Sequence, residues 1–174
     1  MTAILETPSI HIRHFEESDF AGLLNLDTDP EVMKYIGNGK IMTEDQVRSA
    51  LKRIISRYDE MKEFGIWAAE LKSTSEFIGW FALKPLPGTH DIEIGYRLLK
   101  KHWGHGYATE GATALLKYGF DILKISKIVA ITNPSNLISK RVLEKIGLRY
   151  EHDIEYRGSP DAETSTVSLF TASR

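Results

Sequence analysis

The chain has 174 residues, 42% hydrophobic and 26% charged, with a formal net charge of −2 and a pI near 6.3. That length fits one domain, 1–174, with a sizeable core, and the charge balance lacks the basic excess that draws a protein to nucleic acid or an anionic membrane. The lack of cysteine excludes disulfides, thiolate metal sites and a cysteine nucleophile. The opening Met-Thr-Ala-Ile-Leu-Glu carries no secretory pattern and no apolar run is long enough to span a bilayer, so a cytoplasmic protein is expected.

Taken in order, Ile10–His14 alternates and reads as a first strand. Glu16–Leu26 places Phe20, Leu23 and Leu24 at helical spacing after Ser18 and Asp19. Asp29-Pro30 starts a short helix that Gly37-Asn-Gly39 ends. Thr43 and Gln46 form a capping box, and the helix it opens is expected to reach about Phe64. Its stripe is Val47, Leu51, Ile54, Ile55, Tyr58 and Met61. From Gly65 the period becomes two: Ile66–Leu71 and Phe77–Leu83 read as a hairpin, and Asp91–Leu99 as the next strand. A helix follows the glycine-rich stretch near residue 105, then a strand at Ile125–Thr132. Asn133-Pro134 reads as the cap and first turn of a helix running to Ile146 and stopped at Gly147. Strands at Arg149–Tyr156 and Thr164–Ala172 flank a Gly158-Ser-Pro160 turn. Helices and strands interleave while hairpins stand at both ends, so the sheet should be mixed.

The stretch around which this order turns is His102-Trp103-Gly104-His105-Gly106-Tyr107-Ala108-Thr109-Glu110. A strand, a loop with two glycines and a helix N-terminus bring unpaired N–H groups and a positive dipole end to one place, a combination that suits an anion. A glycine turn that merely launches a helix is the competing reading. No Lys-Ser or Lys-Thr follows Gly106, which excludes a Walker loop, and Thr109 stands where a dinucleotide fingerprint needs a small residue. The six histidines show no His-x-x-x-His on one helix, so no metal site is expected.

Trp103-Gly104-His105-Gly106-Tyr107-Ala108 resembles the Gln/Arg-x-x-Gly-x-Gly/Ala motif of the GNAT superfamily of acetyl-CoA-dependent N-acetyltransferases. Glu93-Ile-Gly-Tyr96 followed by Trp-Gly-x-Gly-Tyr-Ala-Thr-Glu is more closely similar to the branch that acetylates ribosomal-protein N-termini. The likeness continues through Asn133-Pro-Ser-Asn136-Leu-Ile-Ser139 and Val142–Leu148. It implies a GNAT-type α/β fold: a mixed, mostly antiparallel central sheet with helices on both faces. It also implies acetyl-CoA as cosubstrate, with the pyrophosphate held by backbone N–H groups of Gly104, His105, Gly106, Tyr107, Ala108 and Thr109. Leu98 and Leu99 would pair through their backbone with the pantetheine arm, and Asn136 would contact the same arm. Asn133 is left as the helix cap. Lys140 and Arg141 are candidates for the adenosine 3′-phosphate.

Attack of an amine on a thioester needs a neutral amine, a stabilised oxyanion and a protonated leaving thiolate. Glu93 shares one strand face with Asp91 and Gly95 and is the candidate base. The tyrosine that many members use as acid is Leu143 here, a departure from the pattern. The serine proposed for that role in the ribosomal-protein branch matches Ser139. The expected acceptor is a primary amine, either a peptide N-terminus or a small cationic amine. An acidic C-terminal hairpin (Glu151, Asp153, Glu155, Asp161, Glu163) would attract either. A catalytically silent acyl-CoA-binding module is the reading from another class.

Overall fold

The computed structural model describes residues 3–158 and 162–174, so Ser159-Pro160 of the expected turn, together with Asp161, lie outside the described residues. Within them, eight strands make one sheet of order β1-β2-β3-β4-β5-β6-β8-β7. In chain order these are β1 (Ala3–Glu6), β2 (Ile10–Arg13), β3 (Gly65–Leu71), β4 (Phe77–Pro85), β5 (Ile92–Leu98), β6 (Lys127–Thr132), β7 (Arg149–Tyr156) and β8 (Ser165–Ser173). The first of these went unread in the sequence. It is a four-residue edge strand, too short for alternation to show, and it is held by pairing with β2. Between described strands, β5 and β6 run parallel and all other neighbours antiparallel.

The parallel pair positions the site. Strands β5 and β6 are in register at Ile92↔Ile128 and Glu93↔Val129 only. Beyond Glu93, β5 continues to Leu98 and β6 to Thr132 without pairing, so the sheet opens into a V.

Two helical layers cover the sheet. On one face lie α1 (Phe20–Asp27), α2 (Pro30–Met33) and α3 (Glu44–Ser56), packed around Phe15, Leu23, Leu26, Val47, Leu51 and Ala68. The capping box of α3 is present, with Thr43 Oγ1 accepting from Gln46 N–H and Gln46 Oε1 accepting from Thr43 N–H. The helix stops at Ser56, eight residues short of Phe64. There the Tyr58 hydroxyl donates to Ile66 O at 2.6 Å and accepts from Phe15 N–H at 2.9 Å. Those long-range bonds turn the chain inward and outweigh local helix propensity.

On the other face lie α4 (Tyr107–Lys117), extended by a π turn over Tyr118–Ile122, and α5 (Leu137–Lys145). The larger core sits here, with Trp67, Phe81, Leu83, Ile94, Leu98, Leu115, Ile128 and Phe170 buried. Gly111 lets α4 settle on β4, since a Cβ there would fall 2.2 Å from the Phe81 ring. No described helix is long and apolar enough to cross a membrane.

Candidate active site

From β5 the chain makes a 3-10 turn, Lys100–His102, and enters the glycine loop. The Trp103 indole N–H donates to Leu98 O at 2.8 Å, folding the turn back onto the strand end. His105 Nδ1–H donates to Trp103 O at 2.9 Å, and its ring stacks on Tyr107, 5.6 Å away and 8° from parallel. Gly104 (φ 79°) and Gly106 (φ 85°) are left-handed, and a Cβ on either would meet nothing within 4 Å. These glycines therefore serve the backbone path and leave the approach to the amides open. The first helical bond is Glu110 N–H to Gly106 O, and Gly106, the N-cap, makes no side-chain cap. The amides of Tyr107, Ala108 and Thr109 thus have no acceptor within the helix and point out of its positive end.

Glu110, in the same stretch, looks the other way. Its Oε1 accepts from Thr7 Oγ1 at 2.5 Å and Ser9 N–H at 2.7 Å, anchoring the first turn of α4 to the β1–β2 turn. Beside it a hollow of about 580 Å³ starts at Gly106 and Thr109 and runs along α4 to Lys117 and Lys145.

Of the two leucines at the strand end, Leu99 is already engaged on both sides. Its N–H donates to Ile78 O and its carbonyl accepts from His102 N–H, each at 2.9 Å. Successive peptide groups of a strand face opposite neighbours, so the Leu98 N–H is directed toward the opened edge while its carbonyl holds Trp103.

Asn136, not Asn133, caps α5: its Oδ1 accepts from Ser139 N–H at 3.1 Å. Asn133 Oδ1 instead accepts from Ser135 N–H, two residues on, and closes the turn before the helix. The helix therefore starts at Leu137, three residues beyond the expected Pro134, since either asparagine suits a cap and Asn133 is taken up by the turn. The cap uses only the carbonyl end of the Asn136 amide. Lys140 lies over the Tyr150 ring, 5.7 Å from its centre, and Arg141 is exposed.

Glu93 and Ser139 stand on opposite faces of the sheet. Ile94, Tyr96 and Leu98 pack with α4. The alternate residues face α1, where Arg97 pairs with Asp27 at 2.5 Å and lies over Trp80. Glu93 is the last β5 residue paired with β6 and so sits at the apex of the V. Its Oε2 accepts from Lys84 Nζ at 2.6 Å, across the β4–β5 register. Tyr156 of β7 feels the same carboxylate: partial burial, then the Glu93 charge, push its phenol above the ordinary value.

Ser139 lies in the first turn of α5, and the Tyr96 hydroxyl is 3.2 Å from both its Oγ and its carbonyl oxygen. Burial pushes the Tyr96 phenol up to about 12, outweighing the opposing pull of that bond. Leu143, where the resemblance implied a tyrosine, is buried core. Only the folded chain pairs Tyr96 with Ser139, 43 residues apart, and only the strand register pairs Glu93 with Lys84.

The glycine loop and the open amides at the helix end stand where the motif implied, and the register adds an opened parallel pair beside them. Residues 9–149 match the family described as Acetyltransferase (GNAT) domain. The chain belongs to that family. It is an N-acetyltransferase, an acyltransferase by reaction class. An uncharacterised Bacillus subtilis protein, YkkB, is 36% identical over 163 residues, 91% of this chain and 92% of its own. The crystal structure of a GNAT acetyltransferase from Bacillus anthracis superposes with a TM-score of 0.82 at 28% identity, over 97% of both chains. Two neighbours share the fold at lower identity. One is RimL, a ribosomal L7/L12 alpha-N-protein acetyltransferase in complex with coenzyme A (TM-score 0.78, 16% identity, 99% of this chain and 98% of that one). The other is a Vibrio cholerae spermidine N-acetyltransferase in complex with CoA and spermine (0.74, 18%, 94% and 95%).

Proposed function

We propose that this GNAT domain, spanning 1–174, transfers acetyl from acetyl-CoA directly to a cationic primary amine, an α-amine at a peptide N-terminus in preference to a lysine side chain. The observation that carries the reading is the V between β5 and β6, with Glu93 at its apex and the open amides of the α4 N-terminus beside it. Three aligned N–H groups and a helix dipole fit a pyrophosphate. The Leu98 N–H fits an arm that docks as an added strand.

Chemistry follows from the two faces. The amine approaches from the α1 side and meets Glu93, which takes its proton directly or through water. Nitrogen forms its bond to the carbonyl carbon, the carbon–sulfur bond breaks, and the electron pair leaves on sulfur toward Ser139 on the α5 side. The acceptor class rests on the acidic β7, where Glu151, Asp153 and Glu155 are exposed. The two enzymes named above, one acting on a protein N-terminus and one on a polyamine, bracket the choice.

One observation favours the silent acyl-CoA-binding reading: Glu93 is tied to Lys84. Turnover of acetyl-CoA against a panel of amines decides, since a silent module binds the thioester and releases no thiol. For Glu93→Gln we expect kcat/KM for the amine to fall about a hundredfold, the lower end for a lost general base. Raising the pH should restore part of it, because more of the amine is then already neutral, and acetyl-CoA affinity should stay within twofold. A variant with the parental rate and pH profile would make Glu93 a structural partner of Lys84.

A further inference from the structure

Resting on that reading, we infer that Tyr96 is a positioning residue: its hydroxyl holds the Ser139 hydroxyl at the α5 side of the V so that the serine O–H meets the departing sulfur.

The placement is specific. Tyr96 belongs to the part of β5 beyond Glu93, where pairing with β6 has ended. Ser139 belongs to the helix that follows β6. Their bond therefore spans the two arms of the V. Ser139 is fixed from both sides, its amide by Asn136 Oδ1 at 3.1 Å and its carbonyl and hydroxyl by Tyr96 at 3.2 Å. A serine on a helix surface ordinarily turns its hydroxyl to solvent or to the carbonyl four residues earlier. This one is met by a phenol from another element, and that phenol is itself packed at 6.2 Å from the Phe81 ring.

The two Ser139 oxygens lie equally far from the phenol, so one rotation of the Tyr96 O–H chooses between them. When it donates to the carbonyl, the phenol oxygen accepts from Ser139 Oγ. When it donates to Oγ, the serine proton is free to point into the V. Negative charge growing on sulfur favours the second arrangement, and each bond is strengthened by the next. No proton need move along this chain. A thiol of ordinary pKa, about 8.5, is a far stronger acid than this phenol, so Tyr96 keeps its proton. The amine's proton goes to Glu93 or water, and the thiolate leaves stabilised by the serine O–H before solvent protonates it.

The test is a double-mutant cycle on the full chain, Tyr96→Phe, Ser139→Ala and both, with kcat and two binding constants read for each. We expect each single change to lower kcat about tenfold, the worth of one charge-assisted hydrogen bond, and the double change to lower it no further. The parent should bind CoA several-fold more tightly than desulfo-CoA at pH 9, where the thiolate is present, and both single variants should lose that preference. A double variant whose losses multiply, or a Tyr96→Phe protein with parental kcat or parental preference for CoA, overturns the inference. If the parent transfers no acetyl group, the proposed function fails by itself, while the CoA against desulfo-CoA comparison still judges Tyr96. Should Tyr96→Phe fail to fold, 13C-tyrosine spectra of the parent and Ser139→Ala replace it. The Tyr96 ring signal should respond differently to CoA and desulfo-CoA in the parent alone, and an identical response in both proteins overturns the assignment.

Discussion

The two faces of the sheet are built by different means. On the α4 face the candidate site is mostly backbone: two left-handed glycines, a helix N-terminus and the edge of β5 left unpaired by β6. On the α1 face it is mostly side chains already closed on one another. Glu93 is bonded to Lys84, Arg97 to Asp27, and Arg13 to Asp19 and Glu70. A backbone cradle accepts any ligand of suitable charge and shape, and it is fixed by local sequence. A wall of paired charges is assembled from distant segments, so it can vary from one protein to the next while the cradle stays.

The sharpest way to break the comparison is to damage the cradle alone. Gly106→Val places a β-branched residue at φ 85° beside the open amides, where its Cβ would meet no atom within 4 Å. We expect acetyl-CoA affinity to fall at least about a hundredfold, roughly 2.7 kcal/mol, with cooperative unfolding retained. Strain must be separated from obstruction. Gly88→Val supplies the control, since Gly88 has φ 78° and equally empty surroundings but lies in the β4–β5 turn. Both variants should lose similar stability to the left-handed backbone, and only the first should lose calorimetric binding of acetyl-CoA. Normal binding by a folded Gly106→Val protein would remove the loop from the site.

The opposite face is tested by stability first. The Arg97 guanidinium is 15% exposed and the Asp27 side chain 5%, so neither charge can turn to water. Asp27→Ala leaves the guanidinium buried without its partner and should cost about 3 kcal/mol, read from the urea midpoint. Acetyl-CoA affinity of the folded fraction should be unchanged. A drop in that affinity equal to the one from the glycine variant would mean that the faces are not independent.

The same division explains what could be read from the sequence. The loop, the α3 capping box and the Gly147 stop are local signals, and each stands where the residues implied it, with Gly147 at φ 100°. The family motif added that the sheet is mostly antiparallel with helices on both faces, where periodicity alone stops at a mixed sheet; the strand order came only with the structure. What was missed depended on pairing between elements or on a choice between two equivalent local caps. The end of α3 is set by Tyr58 reaching Ile66 and Phe15, the β1 strand by its pairing with β2, and the cap of α5 by which of two asparagines the turn leaves in place. The bond between Tyr96 and Ser139 leaves no local signal, because the hydroxyl partner lies on an element 43 residues away.

The smallest expected effect concerns the acceptor, where side chains decide most. Glu151, Asp153 and Glu155 accept from the hydroxyls of Thr171, Ser168 and Thr166, each at 2.6 Å. Those bonds orient the three carboxylates along the exposed β7 without neutralising them, and Glu163 is exposed as well. Ser168 is in register with Thr132 at the end of β6, so this acidic strand stands two places from the V. A cationic acceptor is drawn toward it through solvent, and added salt screens that attraction. Peptides with a single free amine separate the possibilities. An α-amine has a pKa of about 8 against about 10.4 for lysine, so roughly two hundred times more of it is neutral at pH 7. The proposed base role of Glu93, whose carboxylate is shared with Lys84, is then less demanding. We expect the α-amine peptide to react faster than the lysine peptide, and KM for both to rise a few-fold between 10 mM and 500 mM salt, about what the loss of one or two screened surface contacts gives. Equal rates on the two peptides, or a KM indifferent to salt, would reject the cationic N-terminal acceptor and leave acetyl transfer itself untouched.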